Sequence, residues 1–207
     1  VWYNPALKSV TYVVPGLFGV ILMAFPPLLT ALGITREKET NSIQQIFASP
    51  LTAAEFLAGK LIPYGLIAFI QIVMVMVVGF VWFNVPVVGS LALLFGAGLV
   101  YVFCTVGIGL LVSTITKTQL AAMLLALIVT LMPSFLFSGF LFPIFTMPYF
   151  LQLYSRIFPT GYFVDLSRGI TLKGSTLPEL WPSVILLLMY TLAVFALAAW
   201  RFKKKVA

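Results

Sequence analysis

Residues 11–32 read TYVVPGLFGVILMAFPPLLTAL, a run that contains no charged side chain. A helix needs about 20 consecutive apolar residues to cross the hydrocarbon core of a bilayer. Four further stretches of similar length and character occupy residues 56–82, 90–112, 120–140 and 180–200. Because these runs are continuously apolar and do not alternate with period two, they indicate helices and not a barrel. The sequence therefore predicts an all-α polytopic membrane helix bundle with five transmembrane helices.

The composition excludes other classes of protein. The chain is 62% hydrophobic and 8% charged, whereas a soluble domain carries about 25% charged residues. One cysteine, Cys104, and no histidine leave neither a disulfide framework nor the usual ligands of a metal site. No G-x-x-x-x-G-K-[ST] run occurs, and no nucleophile arrangement is visible. We therefore predict a chain that is not an enzyme, binds no ATP and carries no metal or cofactor.

The basic residues predict the orientation in the membrane. Eight of them fall on the side of residues 33–55, namely Arg36, Lys38, Lys60, Lys117, Arg201, Lys203, Lys204 and Lys205. Four fall on the other side, namely Lys8, Arg156, Arg168 and Lys173. The positive-inside rule then places residues 33–55 and the C-terminus in the cytoplasm. The net charge of +7 is thus explained by topology and not by nucleic-acid binding. We expect a multi-pass protein of the bacterial inner membrane, with an earlier helix and an external domain upstream.

Residues 141–179, on the predicted outer side, are rich in aromatic residues and contain Pro143, Pro148 and Pro159. Their apolar pieces are too short to span a bilayer and too apolar for an ordinary loop. This pattern predicts short interfacial helices on the outer side.

Residues 33–55 interrupt the apolar pattern with a charged insert. Within it, Ile43, Ile46 and Phe47 form an apolar stripe at helical spacing, and Ser49-Pro50 ends the helix. One interpretation is a solvated inner loop with an interfacial helix. The other is a docking element that fits a groove on a cytoplasmic partner. The pattern alone leaves both open.

Local motifs predict where helices begin and where they pack. Capping boxes are expected at three helix starts, Thr52–Glu55, Thr116–Gln119 and Thr176–Glu179. Small residues share one face of the third span in two pairs, Ala92 with Gly96 and Gly109 with Ser113, which favours close helix packing.

Polar residues inside the spans are the candidates for a substrate path: Gln71, Thr105, Thr130 and Ser134. Gln71 is the only long polar side chain in the middle of a span, where an interhelical hydrogen bond is the first interpretation and a place in the substrate path is the alternative. The threonines and serine can also bond to carbonyls of their own helices. No acid or base lies near the middle of a span, which argues against a proton- or sodium-coupled carrier.

The insert resembles a known family. REKETNSIQQIFASPLTAAEFLAGKLIPY is similar to the cytoplasmic segment of the type 2 ATP-binding-cassette (ABC) exporter permeases. The matching residues are Arg36, Glu37, Lys38, Glu39, Ser49, Pro50, Leu51, Glu55, Gly59 and Lys60. The chain departs from the pattern at Asn41-Ser42, where Gly-Thr is usual, and at Gln44, where an acid is usual.

The resemblance implies a function and a set of partners. Such permeases pair with a second copy or a homologue around a translocation path, and a cytoplasmic ATPase drives them through connecting and coupling helices. The residues that the resemblance assigns to ATPase coupling are Arg36, Glu37, Glu39, Ser42, Gln45, Phe47 and Pro50. The expected function is export of a hydrophobic or amphipathic compound, such as a drug or a lipid. A channel, carrier or scaffold that is not driven by ATP is the alternative.

Overall fold

The computed structural model describes residues 9–40 and 53–201, and for residues 53, 54, 56 and 57 only the backbone. Within these ranges the chain forms seven α-helices and no strand. They are α1 (Ser9–Glu39), α2 (Ala53–Val77), α3 (Leu91–Ile115), α4 (Gln119–Phe137), α5 (Tyr149–Ser155), α6 (Pro159–Arg168) and α7 (Leu177–Arg201). A π-helical turn over Val78–Trp82 extends α2, another over Gly169–Lys173 extends α6, and a 3₁₀ turn over Ile144–Thr146 precedes α5.

Five of the described helices, α1, α2, α3, α4 and α7, are long and apolar enough to cross a membrane. The predicted all-α polytopic bundle is therefore confirmed. The short helices α5 and α6 lie in the segment for which the sequence predicts interfacial helices.

Helix α1 is the centre of the bundle. It packs most extensively against α3 and α4 and also contacts α2 and α6, while α3 packs against α7. The core includes the fully buried side chains of Phe18, Leu22 and Tyr101. The outward faces of α2, α4 and α7 leave large apolar side chains exposed, among them Met74 and Leu192. Such faces are stable in lipid because hydrocarbon chains are as apolar as the side chains that meet them.

Helix α1 is longer than the apolar run from which it was predicted. It continues to Glu39, so residues 36–39 form its last turn. Three prolines lie inside it, and the Thr30 hydroxyl donates to the Pro26 carbonyl at 2.8 Å. A single helix therefore joins the apolar interior to the charged insert.

One predicted helix start is wrong by two residues. Thr118, not Thr116, caps α4, and its hydroxyl oxygen accepts from the Ala121 amide at 3.3 Å. Thr116 follows the end of α3, and its hydroxyl donates to the Val112 carbonyl at 3.0 Å. Thr176 directly precedes α7 as expected, and Thr52 lies outside the described residues.

The helix directions define two ends of the bundle. We call the end where α1 starts and α4 stops, with α5 and α6, the Arg168 end. The opposite end, where α1 and α3 stop and α2 and α4 start, is the Glu39 end.

Candidate functional site

The last turn of α1 is charged and contacts three other helices. Glu37 forms an ion pair with Lys60 near the start of α2. Both side chains are partly buried, so solvent screens this pair less than it would an exposed one. The second carboxylate oxygen of Glu37, Oε2, is buried and has no hydrogen-bond partner among the described residues. The ion pair joins the end of α1 to the start of α2.

Lys38 joins α1 to the end of α3. Its Nζ donates to the carbonyl of Ser113, in the last turn of α3. Carbonyls in the last turn of a helix have no partner within that helix, and a cation is favourable at that end of the helix dipole. The Oγ1 atoms of Thr35 and Thr116 lie 3.3 Å apart and form a second link between the same helices.

Glu39 joins α1 to the start of α4, because the side-chain amide of Gln119 donates to its carboxylate. We call Glu37, Lys38, Glu39, Lys60 and Gln119 the polar clamp. Through these five side chains the end of α1 is connected to α2, α3 and α4. A displacement of this end would therefore be shared by four membrane helices.

The structure describes three of the seven predicted coupling residues, and their role in coupling stays a prediction. It places Arg36, Glu37 and Glu39 together in the last turn of α1, with Arg36 exposed. The other predicted coupling residues, Ser42, Gln45, Phe47 and Pro50, lie outside the described residues.

The predicted path residues lie mostly inside the bundle. Thr105, Thr130 and Ser134 are fully buried, and each hydroxyl donates to a carbonyl in the preceding turn of its own helix. Gln71 is half-buried on α2, and its Oε1 is buried without a hydrogen-bond partner among the described residues. A role of these four residues in a substrate path stays a prediction.

Sequence reasoning missed a buried polar network that includes Ser134. The Tyr101 hydroxyl donates to the carbonyl of Gly19 at 2.8 Å and lies 3.1 Å from Oγ1 of Thr160. That Oγ1 lies 2.8 Å from the Ser134 hydroxyl. The Tyr101 ring stacks on Phe163, with 4.3 Å between the ring centroids. The network links α3, α1, α6 and α4. The sequence did not predict it, because Tyr101 lies in an apolar run and no local pattern indicates its partners.

Replacing Tyr101 with phenylalanine should lower the free energy of unfolding by about 1–2 kcal/mol, because the change removes the hydroxyl and keeps the stacked ring. Unfolding of the complete protein in mild detergent measures this loss. Tyr154→Phe is the matched control, because Tyr154 is exposed and its hydroxyl makes no hydrogen bond with the described residues; it should shift stability by less than about 0.5 kcal/mol. Equal effects of the two changes would contradict the role of the network.

A second site that the sequence did not reveal lies at the Arg168 end. The Arg168 guanidinium donates to the Tyr12 carbonyl and hydroxyl, at 3.2 and 3.1 Å, and to the carbonyls of Gly139 and Phe140, at 2.8 and 3.2 Å. Its Cζ also lies 3.8 Å from the centroid of the Tyr12 ring, a cation–π contact. Arg168 therefore ties α6 to the start of α1 and to the segment after α4.

An apolar groove runs between α1 and α4. It has a volume of about 250 Å³ and only apolar side chains line it, among them Phe25, Leu131 and Phe135. The groove and the polar clamp share α1, so the helix whose end carries the charged residues also forms one wall of the groove.

The five apolar helices and the exposed apolar faces define a multi-pass membrane protein. The chain belongs to the ABC-2 transporter family, because the model of that family, described as ABC-2 family transporter protein, matches residues 2–200.

Curated relatives agree with this membership. The chain is 35% identical over 205 residues to the "Probable multidrug ABC transporter permease YbhR" of Escherichia coli strain K12, a match that covers 99% of the chain and 55% of the relative. It is 32% identical over 204 residues to "Probable multidrug ABC transporter permease YbhS" of the same strain, covering 99% and 54%. It is also 25% identical over 207 residues to "ABC transporter G family member 20" of Dictyostelium discoideum, covering 99% and 28%. The chain thus spans about half the length of the E. coli relatives that it matches.

Proposed function

We propose that this chain is the membrane-spanning permease portion of an ATP-driven ABC exporter. The observation that carries the proposal is the polar clamp, which connects the charged end of α1 to α2, α3 and α4. The names of the E. coli relatives, which describe permeases of multidrug ABC transporters, support it. ATP hydrolysis belongs to a separate subunit or domain, since the chain has no phosphate-binding loop.

Coupling proceeds from the insert to the membrane interior. Residues 41–52 connect the end of α1 to the start of α2, and an ATPase that moves this segment displaces both helix ends. The Glu37–Lys60 pair keeps the two ends together during that movement. Because α1 also forms a wall of the apolar groove, its displacement changes the shape of that groove. A groove with apolar walls suits a hydrophobic or amphipathic substrate.

The assembly and orientation follow the same proposal. Two permease copies, or one copy and a homologue, enclose the translocation path between them. The Glu39 end faces the cytoplasm, since the described cations Arg36, Lys38, Lys60, Lys117 and Arg201 lie on the helix ends and turn of that side. The C-terminus is then cytoplasmic, and the membrane is the inner membrane of a bacterial cell.

Breaking the Glu37–Lys60 pair should uncouple transport from ATP hydrolysis. In the complete transporter reconstituted with its ATPase in vesicles, Glu37→Gln and Lys60→Gln should each reduce substrate-stimulated ATP hydrolysis and efflux about fivefold or more, the scale of a typical coupling free energy. Basal hydrolysis should remain, because the ATPase itself is unchanged. The double exchange Glu37→Lys with Lys60→Glu should recover a large part of the coupling.

Arg201→Gln is the matched control, because it removes an exposed charge from the last turn of α7 at the same end of the bundle. It should leave coupling unchanged. Unchanged coupling in both single clamp variants would contradict the role of the clamp. Failure of any ATPase subunit to copurify with the complete protein in mild detergent would favour a channel, carrier or scaffold instead.

A further inference from the structure

A large cavity lies at the Arg168 end of the bundle. Its volume is about 640 Å³, within the range of small-molecule sites. Asp165, Arg168 and Lys173 are the charged residues of its polar wall, and Phe145 and Leu180 belong to its apolar wall. A second cavity of about 480 Å³ adjoins it, because Asp165 and Ile144 line both. The polar clamp lies at the other end of the helices, so neither cavity belongs to it.

The polar wall carries two positive charges and one negative charge. The four hydrogen bonds of the Arg168 side chain all go to uncharged acceptors, on Tyr12, Gly139 and Phe140. Its positive charge is thus fixed in the wall and is not cancelled by a hydrogen-bonded carboxylate. Lys173, on the π-helical turn after α6, adds a second cation to the same wall.

Asp165 provides the opposite charge at the boundary between the two cavities. Its side chain lines both cavities and is exposed there. Burial raises the pKa of the Asp165 carboxyl, and the nearby Arg168 and Lys173 lower that pKa by less. A cationic group in the cavity would stabilise the ionised form.

The position of the cavity indicates whether its ligand comes from the membrane or from water. It lies where α1 begins and α4 ends, which is the headgroup level when the long helices span a bilayer. The Phe145 side chain on its rim is 80% exposed, and an aromatic ring at that depth contacts the glycerol region of lipids. A small soluble ligand would leave this apolar rim in water.

We propose that this cavity binds the headgroup of a phosphoethanolamine lipid. The phosphodiester lies against Arg168 and Lys173, and the ammonium group, an ethyl linker away, donates to the Asp165 carboxylate. The opposite charges of the headgroup then match the opposite charges of the wall. This inference rests on the membrane placement within the proposed function and does not depend on coupling to an ATPase.

Lipid retention by the complete protein tests the proposal. The protein is purified in mild detergent, equilibrated with equal amounts of phosphatidylethanolamine, phosphatidylcholine and phosphatidylglycerol, and examined by native mass spectrometry. We expect retention of phosphatidylethanolamine over phosphatidylcholine by about tenfold, since the trimethylated ammonium has no N–H to donate to the carboxylate. Asp165→Asn should abolish that preference and leave phosphatidylglycerol retention intact. Lys173→Gln should weaken retention of all three lipids.

Glu179→Gln is the matched control, because it removes an acid from the first turn of α7 at the same end without lining either cavity. It should leave the preference unchanged.

A wild-type protein without preference for phosphatidylethanolamine over phosphatidylcholine would overturn the proposal, and this comparison needs no variant to fold. An Asp165→Asn protein that keeps the wild-type preference would overturn it as well. If glycerophosphoethanolamine, which is the headgroup without its acyl chains, displaced the lipid at equal concentration, the proposal that the ligand is a membrane lipid would be wrong. None of these readouts uses ATP, so loss of coupling in the clamp variants leaves them unaffected.

Discussion

Replacing Gly109 with alanine should destabilise the helix bundle, because the added methyl group would overlap the backbone of a neighbouring helix. A Cβ atom at Gly109 would lie 2.4 Å from the Pro27 carbonyl oxygen and 2.8 Å from Pro27 Cα, across the contact between α3 and α1. Both atoms belong to backbone, so a side-chain rotation cannot relieve the overlap. These helices, the two most buried of the five long ones, would have to separate or shift along each other. We expect a loss of about 1–3 kcal/mol, the usual cost of forcing extra volume into a packed core.

Gly96→Ala is the matched control on the same helix. A Cβ at Gly96 meets no atom within 4 Å, so alanine there should be neutral or stabilise α3 by up to about 1 kcal/mol through helix propensity. Unfolding of the complete protein in mild detergent, followed for both variants, measures the difference. Equal stability of the two variants would contradict the close contact between α1 and α3.

The same two glycines show how far the sequence could predict this fold. Ala92 with Gly96 and Gly109 with Ser113 have identical spacing, and both pairs predict a face suited to close packing. Only Gly109 meets another helix backbone. Spacing along one helix specifies which residues share a face, but the neighbour of that face depends on the arrangement of the whole bundle. The position of each long helix along the chain was predictable, because a continuous apolar run can be recognised from consecutive residues alone.

The polar clamp shows the same limit for the candidate site. From the resemblance, Glu37 and Glu39 are predicted to be coupling residues, and that role stays a prediction. Their partners were not predictable, because Lys60 is 23 residues from Glu37 and Gln119 is 80 residues from Glu39. The length of α1 was also missed, since its last turn is charged and falls outside the apolar run. The contacts with α2, α3 and α4 offset the free-energy cost of placing these charged side chains on a membrane helix.

At the Arg168 end, the interpretation of Asp165 changes for a related reason. In the sequence, Asp165 is only an acid within residues 141–179, the predicted outer side. In the structure, Arg168 and Lys173 lie close enough to act on its pKa. Arg168 follows Asp165 by three residues, a spacing that places side chains on one helix face, and this was the signal that could have revealed the pair.

Replacing Arg168 with glutamine should cause the second large loss of stability. The guanidinium satisfies the carbonyls of Gly139 and Phe140, which lie in the irregular segment after α4 and have no helical partner. Phe140 is itself buried. An unsatisfied buried carbonyl is costly, and hydrogen bonds to a charged donor are among the stronger ones. We expect the free energy of unfolding to fall by about 3 kcal/mol or more.

Arg168→Lys separates the charge from the geometry of the side chain. Lysine keeps the positive charge, but its single ammonium cannot reach acceptors on both α1 and the segment after α4 as the planar guanidinium does. It should recover less than roughly half of the lost stability. Arg156→Gln, which removes an exposed cation from the same end, should change stability by less than about 0.5 kcal/mol. Unfolding of the three variants in mild detergent measures these differences. If lysine restored full stability, the positive charge alone would be sufficient, and the role assigned to the four hydrogen bonds of Arg168 would be wrong.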